Sequence, residues 1–199
     1  MNRHFLITTL LLSTIFSSIH AQKQSYLDSI QKFQRMYVDS HEVVKKDDKK
    51  FLQFFPIDTS MRIWCSFTPA KNAKWFSMKT TGSTSQVYRK FGLLKFKIRD
   101  REFQLNVYQS QSLLVSEEYS DYLFIPFTDI TSGNESYAGG RYIDQRMGDI
   151  RNNKLLLDFN KAYNPYCAYA TGYNCPIPPA ENDLPVPIKA GEKAYGKPH

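Results

Sequence analysis

Polar side chains that could support chemistry are concentrated in residues 155–192, which read LLLDFNKAYNPYCAYATGYNCPIPPAENDLPVPIKAGE. An apolar run typical of a strand ends at Asp158, and a proline-rich stretch leads to Glu181. Two carboxylates can act as general acid and base, so Asp158 and Glu181 are the candidate catalytic residues. The sequence does not fix their separation. A buried Asp158 that only braces the following loop is an equal alternative.

A binding site is the second interpretation of this segment and of the residues just before it. The glycine pair at 139–140 permits a bulge or a small anion-binding nest beside Arg141. Tyrosine rings of the segment could stack on sugar rings, although ordinary loop packing explains them equally well. The predicted ligand-binding residues are Arg141, Tyr142, Asp158, Asn160, Tyr163, Asn164, Glu181 and Asn182.

Histidine is nearly missing from the body of the chain, and this excludes common catalytic machinery. His4 and His20 belong to the N-terminal segment, His199 is the last residue, and only His41 remains. A Ser-His-Asp or Cys-His arrangement would therefore depend on His41 alone. The sequence contains no G-x-S-x-G, H-E-x-x-H, P-loop or G-x-G-x-x-G motif. We expect no cofactor and no metal site.

The first 21 residues predict a signal peptide. Arg3 supplies a positive start, an apolar stretch covers 5–15, and Ala21 offers a cleavage point. No later apolar run is long enough to span a bilayer, so we expect an exported protein, periplasmic or secreted, without a transmembrane segment. The net charge of +7 falls to +6 without Arg3, as 25 basic minus 19 acidic side chains. In an exported protein this charge favours anionic glycans or lipid headgroups over nucleic acid as partners. Charged solvent-facing sides of strands, with no partner at all, are the simpler alternative.

The three cysteines predict one disulfide and one free thiol. Cys167 and Cys175 lie in a turn-rich loop, and export would place them where disulfides persist. Loop-closure entropy makes such a bridge worth roughly 2–3 kcal/mol. Cys65 lies in a run typical of a strand and is predicted to be a free, buried thiol.

The elements that must position these residues are mainly β. Apolar residues at helical spacing predict one helix over about 25–38, with Ser25 as its N-cap. Alternating residues predict strands over about 61–159, the clearest being a hairpin at 94–107 with a buried face and a basic, wet face. We expect one β-rich domain over 22–199, a small antiparallel barrel or sandwich with the N-terminal helix packed on it. A long, partly irregular C-terminal segment follows over 160–192 and consists of a proline-rich loop and a final strand. A short tail covers 193–199.

Several stretches resemble the family known as domain of unknown function 1684. They read FIPFTDITSGNESYAGGRYID, LDFNKAYNPYCAY, CPIPPAEN and AGEK between 124 and 192, with FFPID, KTTG and NVYQ upstream. Ala138 stands where a third glycine is expected. The family's activity is not established, so the resemblance implies a structural or functional role without naming it. The positions concerned are Arg141, Asp158, Asn160, Tyr163, Asn164, Glu181 and Asn182.

The sequence leaves three functions open. The first is a non-catalytic exported domain that binds a small anionic or glycan ligand around Arg141 and Asp158. The second is a hydrolase that uses Asp158 and Glu181 as a carboxylate pair. The third is a purely structural envelope protein in which the loop closed by Cys167 and Cys175 is a staple.

Overall fold

One curled antiparallel sheet forms half of a barrel and carries the core. The computed structural model describes residues 3–197, with side chains described from residue 22 onward. The strands are β1 (Arg62–Pro69), β2 (Phe76–Met78), β3 (Gln86–Ile98), β4 (Arg101–Ser110), β5 (Tyr122–Asp129), β6 (Arg141–Arg146), β7 (Lys154–Asp158) and β8 (Asp183–Leu184). Their order is β6-β5-β4-β3-β1-β7, with β2 on β3 and the short β8 parallel to β5. The mainly β prediction is confirmed, and the eight strands form a half-barrel rather than a sandwich.

One long helix and several short 3-10 helices complete the fold. The long helix, α1, spans Arg3–Ser40, and the 3-10 helices are Lys46–Phe51, Thr59–Met61, Ser112–Val115, Met147–Asp149, Phe159–Lys161, Tyr166–Ala168 and Ala180–Asn182. The predicted helix at 25–38 is thus part of a longer one, and Ser25 lies inside it rather than at its N-cap. The predicted signal peptide, 1–21, falls on residues whose side chains lie outside this description, and it stays a prediction.

The hairpin of β3 and β4 confirms the prediction from alternating residues. Leu94 pairs with Leu105 and Phe96 with Phe103, all pointing into the core. Lys95 between them is exposed, as period-two alternation requires. Burial of these apolar side chains against β5 and β7 supplies the main stabilisation of the half-barrel.

The solvent-exposed face of this hairpin is shorter than predicted. Asn106 and Tyr108 should alternate outward with Leu105 and Val107, yet both are buried. The C-terminal segment crosses this part of β4, where Asn182 bonds to Asn106 and Glu181 accepts from Tyr108. A tertiary crossing therefore overrides the two-residue period at this end of the strand.

Helix α1 lies over the seam where the sheet does not close. The two outermost strands of the sheet are β6 and β7. An isolated bridge between Tyr142 and Tyr163 links β6 to the chain that follows β7. Tyr26 of α1 donates to Asp158 at the end of β7, and Ile30 is fully buried. Amphipathic packing on the seam is thus the role of the apolar helical stripe.

Within the part of the chain that the structure describes, no helix combines the length and apolar character needed to cross a bilayer.

The cysteines pair as predicted. Cys167 and Cys175 form a disulfide with Cα atoms 6.3 Å apart. Cys65 is a free thiol buried in β1, and burial raises its pKa to about 12. A thiol with so high a pKa is not a nucleophile near neutral pH.

Candidate functional site

A cavity of about 500 Å³, here called the tyrosine cavity, opens beside α1 at the seam. Its aromatic walls are formed by Phe33, Tyr37, Tyr142, Tyr163, Tyr166 and Tyr173. Its polar side chains are those of Asp144, Asn164 and Asn174. Among the described residues, no lysine, arginine or histidine lines it.

Local periodicities explain how two walls are formed. Tyr142 and Asp144 are two residues apart on β6 and so share one face, while Ile143 between them points into the core. Phe33 and Tyr37 are four residues apart on α1 and share one helical stripe. The Tyr142 ring packs against Phe124 on β5, and its hydroxyl donates to the carbonyl of Pro176.

Asp144 is the only ionisable carboxyl group in the described wall of the tyrosine cavity. The hydroxyls of Tyr122 and Tyr163 lie beside it, and burial raises its pKa. Its Oδ1 atom is buried without a hydrogen-bond partner among the described residues. A buried acceptor left unsatisfied is costly, so this oxygen is a candidate contact for a ligand that donates.

Asn164 supplies a second acceptor of the same kind. Its amide nitrogen donates to the carbonyl of Lys193 at 2.7 Å, which fixes the orientation of the side chain. Its Oδ1 atom is buried and, within the described chain, has no partner. The tyrosine cavity therefore combines aromatic faces with two unsatisfied oxygen acceptors.

Glu192 holds two residues of the cavity wall, Tyr37 and Asn164, in place. Its carboxyl group is fully buried and accepts from Tyr37 at 3.1 Å, from Tyr169 at 2.7 Å and from the Asn164 backbone at 2.8 Å. Burial raises the pKa of Glu192 to about 7, although these donors oppose the shift. The carboxyl group thus joins α1 to the C-terminal segment and fixes Tyr37 and Asn164 in the wall.

Glu192→Gln is expected to remove a pH dependence of stability. The folded pKa of about 7 lies above the ordinary 4.5, so the native state holds a proton that the unfolded chain has lost. This stabilisation is complete below pH 4.5, declines as the pH rises through 7, and amounts to about 3 kcal/mol. Glutamine mimics the protonated carboxyl group. The free energy of unfolding of Glu192→Gln, relative to that of the wild type, should therefore rise as the pH increases over this window.

Urea unfolding across this pH window measures the difference between wild type and Glu192→Gln. Glu102→Gln is the matched control, because the Glu102 side chain is 81% exposed. The free energy of unfolding of Glu102→Gln, plotted against pH, should run parallel to that of the wild type. A Glu192→Gln curve that also runs parallel would contradict a raised pKa at Glu192.

Three of the predicted ligand-binding residues line the tyrosine cavity, namely Tyr142, Tyr163 and Asn164. Arg141 does not. Its guanidinium is fully buried and pairs with Asp129 at 2.8 Å. The C-terminal segment wraps around this pair, with the Ile188 backbone N–H donating to Asp129 at 3.0 Å.

Asp158 and Asn160 brace the end of β7. The Asp158 carboxylate accepts from the Tyr26 hydroxyl at 3.0 Å and from the Asn160 backbone at 3.1 Å. The Asn160 side chain in turn bonds to the backbone N–H and carbonyl of Asp58. Of the two interpretations of Asp158, these contacts favour the structural one.

The side chains of Glu181 and Asn182 pack against β4 rather than against Asp158. Glu181 accepts from Tyr108 at 2.8 Å and pairs with Lys90 at 2.8 Å. In the described chain Asp158 and Glu181 share no hydrogen-bond partner, and neither lines the tyrosine cavity. The fold therefore does not assemble the predicted acid–base pair around that cavity.

Four residues of the site and its support were not predicted from sequence, namely Asp144, Glu192, Phe33 and Tyr37. The alternation of Tyr142, Ile143 and Asp144 could have indicated a carboxyl group on the tyrosine-bearing face of β6. Glu192 lies in the quoted AGEK stretch, but nothing local predicts its burial. In the described part of the chain, no group of three or more His, Cys, Asp or Glu residues could hold a metal ion.

The fold and site define a class: an antiparallel half-barrel whose seam is covered by a helix, with a tyrosine-lined cavity beneath that helix. The chain belongs to the family described as "Protein of unknown function (DUF1684)", whose model matches residues 49–193. This confirms the resemblance. The matched range includes all eight strands and Glu192, whereas α1 precedes it.

The fold is similar to that of a solved structure. It is the solution NMR structure of an uncharacterized protein of Haloarcula marismortui, 25% identical in sequence, with a TM-score of 0.66. The match covers 87% of this chain and 96% of the Haloarcula marismortui chain. A search of the curated proteins finds no match to the chain.

Proposed function

We propose that the protein is an exported, non-catalytic domain that binds a glycan-type ligand in the tyrosine cavity. One observation carries the proposal: Asp144 and Asn164 both line the cavity, and each has a buried oxygen with no hydrogen-bond partner in the described chain. Sugar hydroxyls donate to such oxygens, and the apolar faces of sugar rings stack on tyrosine.

The size and shape of the cavity support a small ligand. Its volume of about 500 Å³ falls within the usual range of small-molecule sites. The ring pairs Tyr142–Tyr163 and Tyr166–Tyr173 present edges and faces at different angles, with centroids 5.8 and 5.2 Å apart. Such a wall fits a puckered ring with both apolar and hydroxyl-bearing surfaces.

Of the two predicted ligand classes, the glycan is favoured over the anion. Arg141 was the expected anion contact, but it is enclosed by Asp129 and backbone carbonyls. The described wall contains one carboxyl group and no cationic side chain, so an anion would meet repulsion. A purely structural role would leave the oxygens of Asp144 and Asn164 without explanation.

Export is supported by the chemistry of the cysteines together with the N-terminal segment. The disulfide between Cys167 and Cys175 is of a kind that persists in oxidising compartments. Residues 1–21 have the composition of a signal peptide.

Tyr166→Ala is expected to weaken saccharide binding at least about tenfold, because stacking on one ring is worth roughly 1.4 kcal/mol. Titration with neutral mono- and disaccharides and amino sugars, followed by calorimetry or NMR, measures the effect. Tyr119→Ala is the matched control: Tyr119 is 38% exposed against 39% for Tyr166, and it lies outside the tyrosine cavity. Equal binding by both variants would contradict the site, and no binding of any saccharide would contradict the function.

A further inference from the structure

We infer that the ligand carries a protonated amino group that pairs with Asp144, so that the tyrosine cavity takes an amino sugar in preference to a neutral one. The inference rests on the proposed function and adds the charge of the ligand to it. It follows from the charge balance of the wall, from the ring faces and from the donor count of an ammonium group.

Asp144 lacks a counter-ion of its own in the described structure. Arg146, two residues along β6, attracts Asp144 and opposes the rise of its pKa, but the Arg146 guanidinium is paired with Asp121 at 2.7 Å and donates to the backbone carbonyl of Glu118. No other cation lines the described wall. A buried carboxylate without a cation is unfavourable, and the rise in the pKa of Asp144 on burial expresses this cost. A cationic ligand would remove it.

The aromatic wall fits a cation as well as a sugar ring. Tyr163 packs edge-on against Tyr142 at 5.8 Å and lies 6.2 Å from Tyr37, so these rings meet at different orientations around Asp144. Tyrosine faces attract an ammonium group, and the attraction grows when water is excluded. Aromatic faces beside one carboxyl group are the usual composition of a site for an organic cation.

The hydrogen-bonding capacity of the wall points the same way. The two buried oxygens without partners, on Asp144 and Asn164, are both acceptors. An ammonium group has three donors and no acceptor, whereas a hydroxyl has one donor. An amino sugar can satisfy the Asp144 carboxylate with its ammonium group and Asn164 with an ammonium or hydroxyl donor, and it can stack its ring on tyrosine.

The experiment compares four probes on the purified full-length protein: glucosamine, N-acetylglucosamine, glucose and ethanolamine. Titrations followed by NMR at about pH 6 keep the amines protonated. We expect glucosamine to bind at least about tenfold more tightly than glucose or N-acetylglucosamine. Asp144→Asn should abolish this preference, so that the variant binds glucosamine and glucose with similar affinity. Glu102→Gln removes an exposed acid from the β3–β4 hairpin and should preserve the preference.

Each outcome separates this inference from the proposed function. Equal binding of glucose and glucosamine to the wild type would overturn the ammonium pairing and leave glycan binding in place. Ethanolamine binding as tightly as glucosamine, with no binding of glucose, would keep the pairing with Asp144 but overturn the saccharide part of both proposals. Absence of binding by all four probes would overturn both. If Asp144→Asn does not fold, the comparison on the wild type still decides.

Discussion

Arg141→Met is expected to lower the free energy of unfolding by about 3–5 kcal/mol, the usual loss when one partner of a buried ion pair is removed. The substitution keeps an unbranched side chain but leaves the Asp129 carboxylate without its cation. It also removes the N–H groups that donate to the backbone carbonyls of Ile188, Ala190 and Glu192, at 2.7, 2.5 and 3.2 Å. Methionine can form none of these bonds.

Chemical unfolding at fixed pH measures the loss, and Lys189→Met provides the matched control. Lys189 also pairs with a carboxylate, Glu135, but this pair is solvent-exposed. Exposed pairs contribute about 0–1 kcal/mol, so the control should change stability little. Similar small losses in the two variants would contradict a structural role for Arg141. Equal losses of 3 kcal/mol or more would show that the segment around residues 188–192 is fragile in general.

Arg141 also shows what sequence alone can and cannot predict. The family resemblance implies a role for this position, and Arg141 forms a buried ion pair with Asp129. Its partner could not be found, because both Asp129 and Asp158 follow apolar runs typical of strands and look alike in sequence. Only the path of residues 183–192 decides between them. Apolar residues at alternate positions there, Leu184, Val186, Ile188 and Ala190, predict an extended segment but not where it crosses the sheet.

Local patterns, in contrast, predicted the elements well. The β3–β4 hairpin and the apolar stripe of α1 follow from side-chain periods of two and 3.6 residues. The bridge between Cys167 and Cys175 follows from their closeness in a turn-rich loop. These predictions succeeded because the interactions that decide them lie close together in the chain.

The tyrosine cavity depends on contacts between distant parts of the chain. Its walls come from α1, β6 and the loop after β7, so Phe33 and Asn164 meet across 131 positions of sequence. Tyr142 and the tyrosines of the loop were predicted from sequence, but the predicted site was centred on Arg141 and Asp158. Both have conventional binding chemistry, but Arg141 pairs with Asp129, and Asp158 accepts from Tyr26.

Asn182→Ala is expected to cost about 4 kcal/mol, because its carboxamide replaces missing ladder bonds between β4 and β5. The ladder pairs Tyr108 with Phe124, and two residues further it would pair Asn106 with Pro126, which has no N–H to donate. The Asn182 carboxamide fills this gap: it accepts from the Asn106 N–H and donates to the carbonyls of Asn106 and Pro126, at 2.8, 3.0 and 2.7 Å. Removing it leaves three buried backbone groups unsatisfied, at about 1–3 kcal/mol each.

Asn182→Leu separates hydrogen bonding from packing, because leucine refills the volume but cannot replace the bonds. We expect it to be about as destabilised in urea unfolding as Asn182→Ala, while Asn134→Ala, at an exposed turn, changes little. Hydrogen exchange gives a second readout, since the Asn106 N–H should lose protection in both Asn182 variants. Recovery of stability in Asn182→Leu would show that Asn182 acts through its volume. In that case the β4–β5 junction would tolerate Pro126 without an inserted amide.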